Sequence, residues 1–395
     1  MTGTPTEDGL EALLAAAVRR GEVTGAVGLI ARGGDEAGAG AVETAAVGSR
    51  TDGGPEDIAP DTVFRIASVS KIVTAAAVML LVDEGRFGLD DPVERWLPEL
   101  AAPRVVRVPE APVDDLVPAH RPITVRDLLT ARAGWGYPDD FSLPAARALA
   151  GGLRQTPPLP DGVPAPDEWL ADLAKIPLLA QPGERFLYNT TSDIQGVLVA
   201  RAAGRPFAEF LTERLFAPLG MADTAFSVPK DRVDRLTGLH RRKESGELLL
   251  WDAPDGMWSH EPAFPSGAGG LVSTAGDLHA FLRMLLADGR APDGRALLTP
   301  GAVSLMRTDH LTADQRAGGA AFLDGQGWGF GGAVDVDPVE PWNTPGRYGW
   351  IGGTGTSAHL VPSTATISIL LTTVALSGPS APPLLQEFWQ YAAAR

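Results

Sequence analysis

The chain has 395 residues and a formal net charge of −16, from 49 acidic and 33 basic residues. That surplus of acid excludes a protein that tracks a nucleic-acid backbone or adheres to an anionic membrane. Cysteine is absent, which excludes thiol nucleophiles, thiolate metal sites and disulfides together. Lysine occurs only at Lys71, Lys175, Lys230 and Lys243, the other 29 basic residues being arginine, and tyrosine only at Tyr137, Tyr188, Tyr348 and Tyr391.

The opening MTGTPTEDGLEALLAAAVRRGE places acids before any apolar run, so no secretory signal is read there and a cytoplasmic protein is expected. Leu10, Leu13, Leu14 and Val18 recur at helical spacing, and 25–32 and 41–47 read as two short strands. The longest apolar stretch, 72–82, is about half of the ~20 residues needed to span a bilayer. Near the other end, 356–361 and 365–373 read as strands, the second with Ile367, Ile369 and Leu371 on one face and Thr366, Ser368 and Thr372 on the other. Leu384, Leu385, Phe388 and Trp389 mark a closing helix. Strands at both ends with helical patterns between them predict an α+β fold. One antiparallel sheet is assembled from the two chain ends and flanked by helices, with a mostly helical lobe inserted. The expected division is 1–85 with 265–395 for the sheet-bearing lobe and 86–264 for the helical one. Residues 133–166 hold twelve Gly or Pro and read as a long irregular loop, a possible lid over a substrate site.

The strongest local pattern is FRIASVSKIVTAAAVMLLVDEGRF. Ser68 and Lys71 stand at i and i+3, so a helix beginning at Ser68 brings them onto one face. The run after Lys71 is apolar all round except Thr74, which predicts a buried helix whose N-terminal end opens on a cavity. A serine hydroxyl is a weak nucleophile until a neighbour takes its proton, and burial makes an ammonium give up its own more easily. Arginine cannot serve, because its guanidinium stays protonated. The alternative is a capping serine beside a solvated lysine.

A second pattern, QPGERFLYNTTSDIQGVLVARAAGR, puts Tyr188 in a loop just before a helix. Beside a lysine its phenol would ionise more readily and could exchange a proton with the serine; a packed aromatic is the plainer reading. In a third, RYGWIGGTGTSAHLVP, glycines at 349, 352, 353 and 355 adjoin a strand, which allows backbone N–H groups to approach an oxyanion. By itself this is also a common turn.

Together with LDDPVERWLPEL, ITVRDLLTARAGW and FPSGAGGLVSTAGDLHAFLRMLL, these ordered segments resemble the serine β-lactamase superfamily. The likeness is to the branch of class C β-lactamases, family VIII carboxylesterases and transesterases, and it runs over nearly the whole chain. The resemblance implies a β-lactamase/transpeptidase-like fold, Ser68 as acylated nucleophile, Lys71 as its partner and Tyr188 as acid/base. It implies an oxyanion hole from the backbone N–H groups of Ser68 and Gly353.

Two departures bear on substrate. The family's Tyr-x-Asn motif has Thr190 in its third place, and its Lys-Thr-Gly motif reads Trp350-Ile351-Gly352. The second exchange removes a cation that would hold a substrate carboxylate and offers an apolar wall instead. A neutral ester is therefore expected to suit the site better than a carboxylate-bearing β-lactam or peptide. Trp350, Gly352, Thr190, Trp135, Tyr137 and Trp258 are the expected substrate contacts, with Trp251 a further candidate for an acyl pocket. No G-x-S-x-G, H-E-x-x-H or P-loop pattern occurs, and neither cofactor nor metal is expected. The implied activity is ester hydrolysis through an acyl-serine. Acyl transfer to an alcohol, amidase or D-aminopeptidase activity, β-lactam hydrolysis and a non-catalytic binding domain stand as alternatives. The partner is a small ester or acyl compound, and the sequence leaves the oligomeric state open.

Overall fold

The computed structural model describes residues 9–33, 41–153 and 159–394. Helix α1 (Leu10–Arg19) leads into strands β1 (Gly25–Arg32) and β2 (Ala41–Gly48). Helices α2 (Ser70–Asp83), α3 (Thr190–Ala203) and α4 (Ala275–Leu286) follow. The short strands β3 (Gly327–Trp328) and β4 (Ala333–Val334) precede β5 (Tyr348–Gly352), β6 (Thr356–Val361) and β7 (Thr366–Thr372), and α5 (Pro383–Ala393) closes the chain. The strands form one antiparallel sheet in the order β2-β1-β7-β6-β5-β4-β3. The two chain ends meet inside the sheet, where β1 pairs with β7 and Leu29 faces Ile369.

Helices cover both faces. Leu10 and Leu14 of α1 and Leu384, Leu385 and Phe388 of α5 pack with Ala26, Ile30 and Leu370 on one side. On the other, Val27, Leu29, Ile367, Ile369 and Leu371 join the large core that contains α2 and Leu278, Phe281 and Leu282 of α4. All seven residues of β7 are buried, those on its polar face included. Thr372 turns its hydroxyl onto the Gly355 carbonyl at 2.8 Å, and Thr366 is bonded to Thr364, so these two buried hydroxyls are satisfied internally.

Among the described residues, no helix is long and apolar enough to cross a membrane. The segment 133–166 is not an irregular loop throughout. Its Ala-rich middle forms a helix, Pro144–Gly152, with proline at the helix start, where the missing N–H costs no hydrogen bond.

Candidate active site

The segment carrying Ser68 is anchored by a strand pairing before it and a helix after it. Phe64 and Arg65 pair with Val272 and Ser273, and a turn of 3-10 helix, Ala67–Val69, leads into α2. Thus Ser68 lies one turn ahead of the α-helix and does not begin it. Ala67 has a φ of 43°, a left-handed conformation that a residue with a Cβ adopts only at a cost of about 1 kcal/mol or more. Asn189, directly after Tyr188, has a φ of 83°. Strained backbone therefore adjoins both Ser68 and Tyr188, as is common where geometry is fixed for chemistry.

Burial of α2 carries Lys71 into the interior, where its side chain is inaccessible to solvent. Its amine lies 2.9 Å from Ser68 Oγ, 2.8 Å from Asn189 Oδ1 and 2.6 Å from the Ala268 carbonyl. Desolvation lowers its pKa to about 7, against an opposing pull from Asp193. Three acceptors satisfy the three protons of an ammonium. The neutral amine has two N–H donors and a lone pair: Asn189 and Ala268 can take the donors, leaving the lone pair for the Ser68 hydroxyl. Asp193, in the first turn of α3, accepts from Ser266 Oγ at 2.7 Å and from the Ala268 N–H at 3.0 Å. It thereby fixes the segment whose carbonyl receives Lys71.

Tyr188 shares a hydrogen bond with Ser68, and burial pushes its pKa up to about 12. The expected phenolate is corrected here: Phe322 stacks on the ring at 4.6 Å, and Trp328 and Trp350 pack at 6.1 and 5.7 Å. Removing water from the phenol outweighs the nearby amine, which lies 4.7 Å from the ring centre. Trp350 Nε1 donates to the phenol oxygen at 2.6 Å.

Ser68 opens on a cavity of about 270 Å³. Trp251, Trp258, Phe264, Leu159, Val163 and Leu239 form its apolar wall, and Gly353 lies at its rim. A Cβ on Gly353 would meet nothing within 4 Å, so this glycine faces open space beside the serine. Of the expected substrate contacts, Trp258 and the further candidate Trp251 line this cavity, and Trp350, Gly352, Thr190, Trp135 and Tyr137 do not. Trp350 is turned to Tyr188, and Trp135 is buried and donates to the Ile176 carbonyl at 2.9 Å. Thr190 is buried as the first residue of α3. Tyr137 exchanges backbone hydrogen bonds with Tyr188. Gly352 is pressed against the chain before Ser68, where a Cβ would come within 2.3 Å of the Ile66 carbonyl. Asn189, Asp193 and Ala268 went unrecognised in the sequence. The unusual backbone that asparagine tolerates was the one available signal.

The chain matches the family model described as Beta-lactamase over residues 10–388, and it belongs to that family. Among its relatives, Protein Rv1367c of Mycobacterium tuberculosis is 41% identical over 319 residues, covering 79% of this chain and 77% of that protein. Esterase EstB of Burkholderia gladioli is 32% identical over 397 residues, 94% of this chain and 92% of its own. The solved structure of EstCE1, titled a hydrolase with promiscuous acyltransferase activity, superposes with a TM-score of 0.76 at 26% identity. That match covers 97% of this chain and 96% of EstCE1.

Proposed function

We propose that the protein is a serine esterase that works through an acyl-enzyme. The observation that carries this reading is the buried amine of Lys71 at 2.9 Å from Ser68 Oγ, with its pKa brought down to about 7. In the neutral state the amine accepts the hydroxyl proton as Ser68 Oγ attacks the ester carbonyl carbon. The oxyanion is received by the backbone N–H groups of Ser68 and Gly353. As the intermediate collapses, the bond from the carbonyl carbon to the alcohol oxygen breaks. The leaving oxygen takes the phenol proton of Tyr188, which regains one from Lys71. Water then repeats the sequence in reverse and releases the acid.

The acyl part of a small, neutral ester occupies the Trp251/Trp258 cavity, and the alcohol leaves on the side of Tyr188. Transfer to an alcohol in place of water is the second reading. It is favoured by the likeness to EstCE1, whose title gives both activities. Incubation with p-nitrophenyl butyrate should release nitrophenol and add a butyryl mass at Ser68, and Ser68→Ala should abolish both. Equal release by the two proteins overturns the assignment. Adding an alcohol and measuring the new ester against free butyrate separates transfer from hydrolysis.

A further inference from the structure

We propose that the buried pair Arg65–Asp252 is the positioning device that sets which acyl groups the cavity accepts. The proposal rests on the esterase reading above. Arg65 stands three residues before Ser68, and its side chain and that of Asp252 are both buried. Its Nε donates to Asp252 Oδ2 at 2.8 Å and its Nη1 to the Thr237 carbonyl at 2.6 Å, while Nη2 reaches both Asp252 and the Ala253 carbonyl. The guanidinium also lies over the Trp258 ring, 5.2 Å from its centre. Asp252 Oδ1 in turn accepts the Met257 N–H at 2.8 Å.

These contacts converge on the segment that builds the apolar wall. Trp251 precedes Asp252, and Trp258 follows Met257. The Trp258 indole N–H is fixed to the Gly270 carbonyl at 3.0 Å, and Gly270 lines the same cavity. On the other side, the Arg65 carbonyl accepts from Thr354 Oγ1, next to Gly353. One residue therefore joins the nucleophile segment, the turn that carries Gly353 and the acyl wall. A buried ion pair contributes little net stability compared with apolar packing, but it fixes one geometry, here the distance from Ser68 to the two indoles. An acetyl group has little surface to place against that wall, whereas a longer acyl chain packs along it.

The test is chain-length selectivity. Wild type, Asp252→Asn and Gly256→Ala are assayed with p-nitrophenyl acetate and octanoate. Asp252→Asn should lower kcat/KM for octanoate about tenfold, mainly through KM, and leave acetate within about twofold. Because a buried partner is altered, folding is checked by circular dichroism. Gly256→Ala provides the second route: its Cβ would fall 2.1 Å from Asp252 Oδ1, displacing the carboxylate without changing charge. It should shift selectivity in the same direction. An equal fall on both esters, or no fall on octanoate, overturns the proposal.

A binding readout stands apart from turnover. In a Ser68→Ala background, tryptophan fluorescence titrations with methyl butyrate and methyl octanoate should show a preference for the longer ester that Asp252→Asn and Gly256→Ala remove. A preference retained in both variants overturns the clamp even where catalysis is intact. Failure of the esterase reading shows differently, as undiminished turnover in Ser68→Ala.

Discussion

Trp350 Nε1 donates to Tyr188 Oη across 2.6 Å, which couples β5 to the chain entering α3. An indole N–H aimed at a phenol oxygen favours the anionic form of that phenol. In a site where burial drives the tyrosine toward neutrality, it is a counterweight at the atom that gives and regains a proton in the proposed mechanism. Trp350→Phe keeps the aromatic packing and removes the donor. The expected result is a fall in kcat of about tenfold, with KM for p-nitrophenyl butyrate changed less than about twofold, since Trp350 does not line the cavity.

The pH profile follows from Lys71. Its neutral form, the proton acceptor of the proposed mechanism, predominates above a pKa of about 7. Activity on p-nitrophenyl butyrate, as kcat/KM, should therefore rise with pH through about 7 and level off. An ordinary lysine, at 10.5, would delay that rise by more than three units. Tyr188, pushed up to about 12, remains protonated across the range from pH 5 to 9.5. A profile still climbing tenfold per unit at pH 9 contradicts the assignment of Lys71 as base.

The same shift has a consequence for stability. Between about 7 and 10.5 the unfolded chain binds a proton at Lys71 that the folded protein does not. In that window, stability from this group rises with pH, by about 1.4 kcal/mol per unit, and is lost again as pH falls toward 7. Comparing urea unfolding of wild type and Lys71→Met at pH 7.5, 8.5 and 9.5 isolates the effect, because all other groups are common to both. The difference between the two proteins should change by about 1.4 kcal/mol per unit. A constant difference shows that Lys71 is not desolvated as described.

Much of this was legible in the sequence, for reasons that differ between elements. The chain ends could be placed in one sheet because β1 and β7 are short apolar runs bounded by turns, a pattern local in sequence. Ser68 and Lys71 are close because i and i+3 share a helix face, even with the 3-10 turn that separates Ser68 from α2. Asn189 and Ala268 were hidden: one offers its side-chain oxygen from a strained backbone position, and the other offers a main-chain carbonyl that any residue could supply. Tyr188 was misread as a partial phenolate because the sequence shows its proximity to charge but not the aromatic shell that excludes water. The helix Pro144–Gly152 was obscured by glycines and prolines that lie at its ends and beyond it, with AARALA between them.

Substrate charge provides a further expected outcome. Among the described residues, no Lys, Arg or His lines the cavity, whereas the Asp193 carboxylate does. An anionic acyl chain loses its hydration there and gains no partner. The p-nitrophenyl monoester of glutaric acid should be turned over at least about tenfold less efficiently than p-nitrophenyl butyrate. The gap should narrow as salt is raised to the extent that the −16 net charge contributes at long range. Equal efficiency at low salt would show that the missing third-motif cation has been replaced elsewhere.

Gly352 tests whether the sheet holds the reactive segment by direct backbone contact. A Cβ there would fall 2.3 Å from the Ile66 carbonyl and 2.1 Å from Thr356 Oγ1. That hydroxyl itself donates to the Ile66 carbonyl at 3.0 Å. No flexible side-chain end is available to yield to the Ile66 carbonyl, so Gly352→Ala must push β5 away from the chain that leads into Ser68. Overpacking of this kind costs about 1–3 kcal/mol, which should appear as a lower midpoint of urea unfolding with an unchanged slope. Because Gly353 moves with β5, kcat should fall by more than the lost stability explains, in folded protein well below the transition. Gly353→Ala provides the contrast, since its Cβ meets open space: it should leave the unfolding midpoint nearly unchanged. A Gly352→Ala protein with wild-type stability and kcat would mean that the strand does not set the position of the serine.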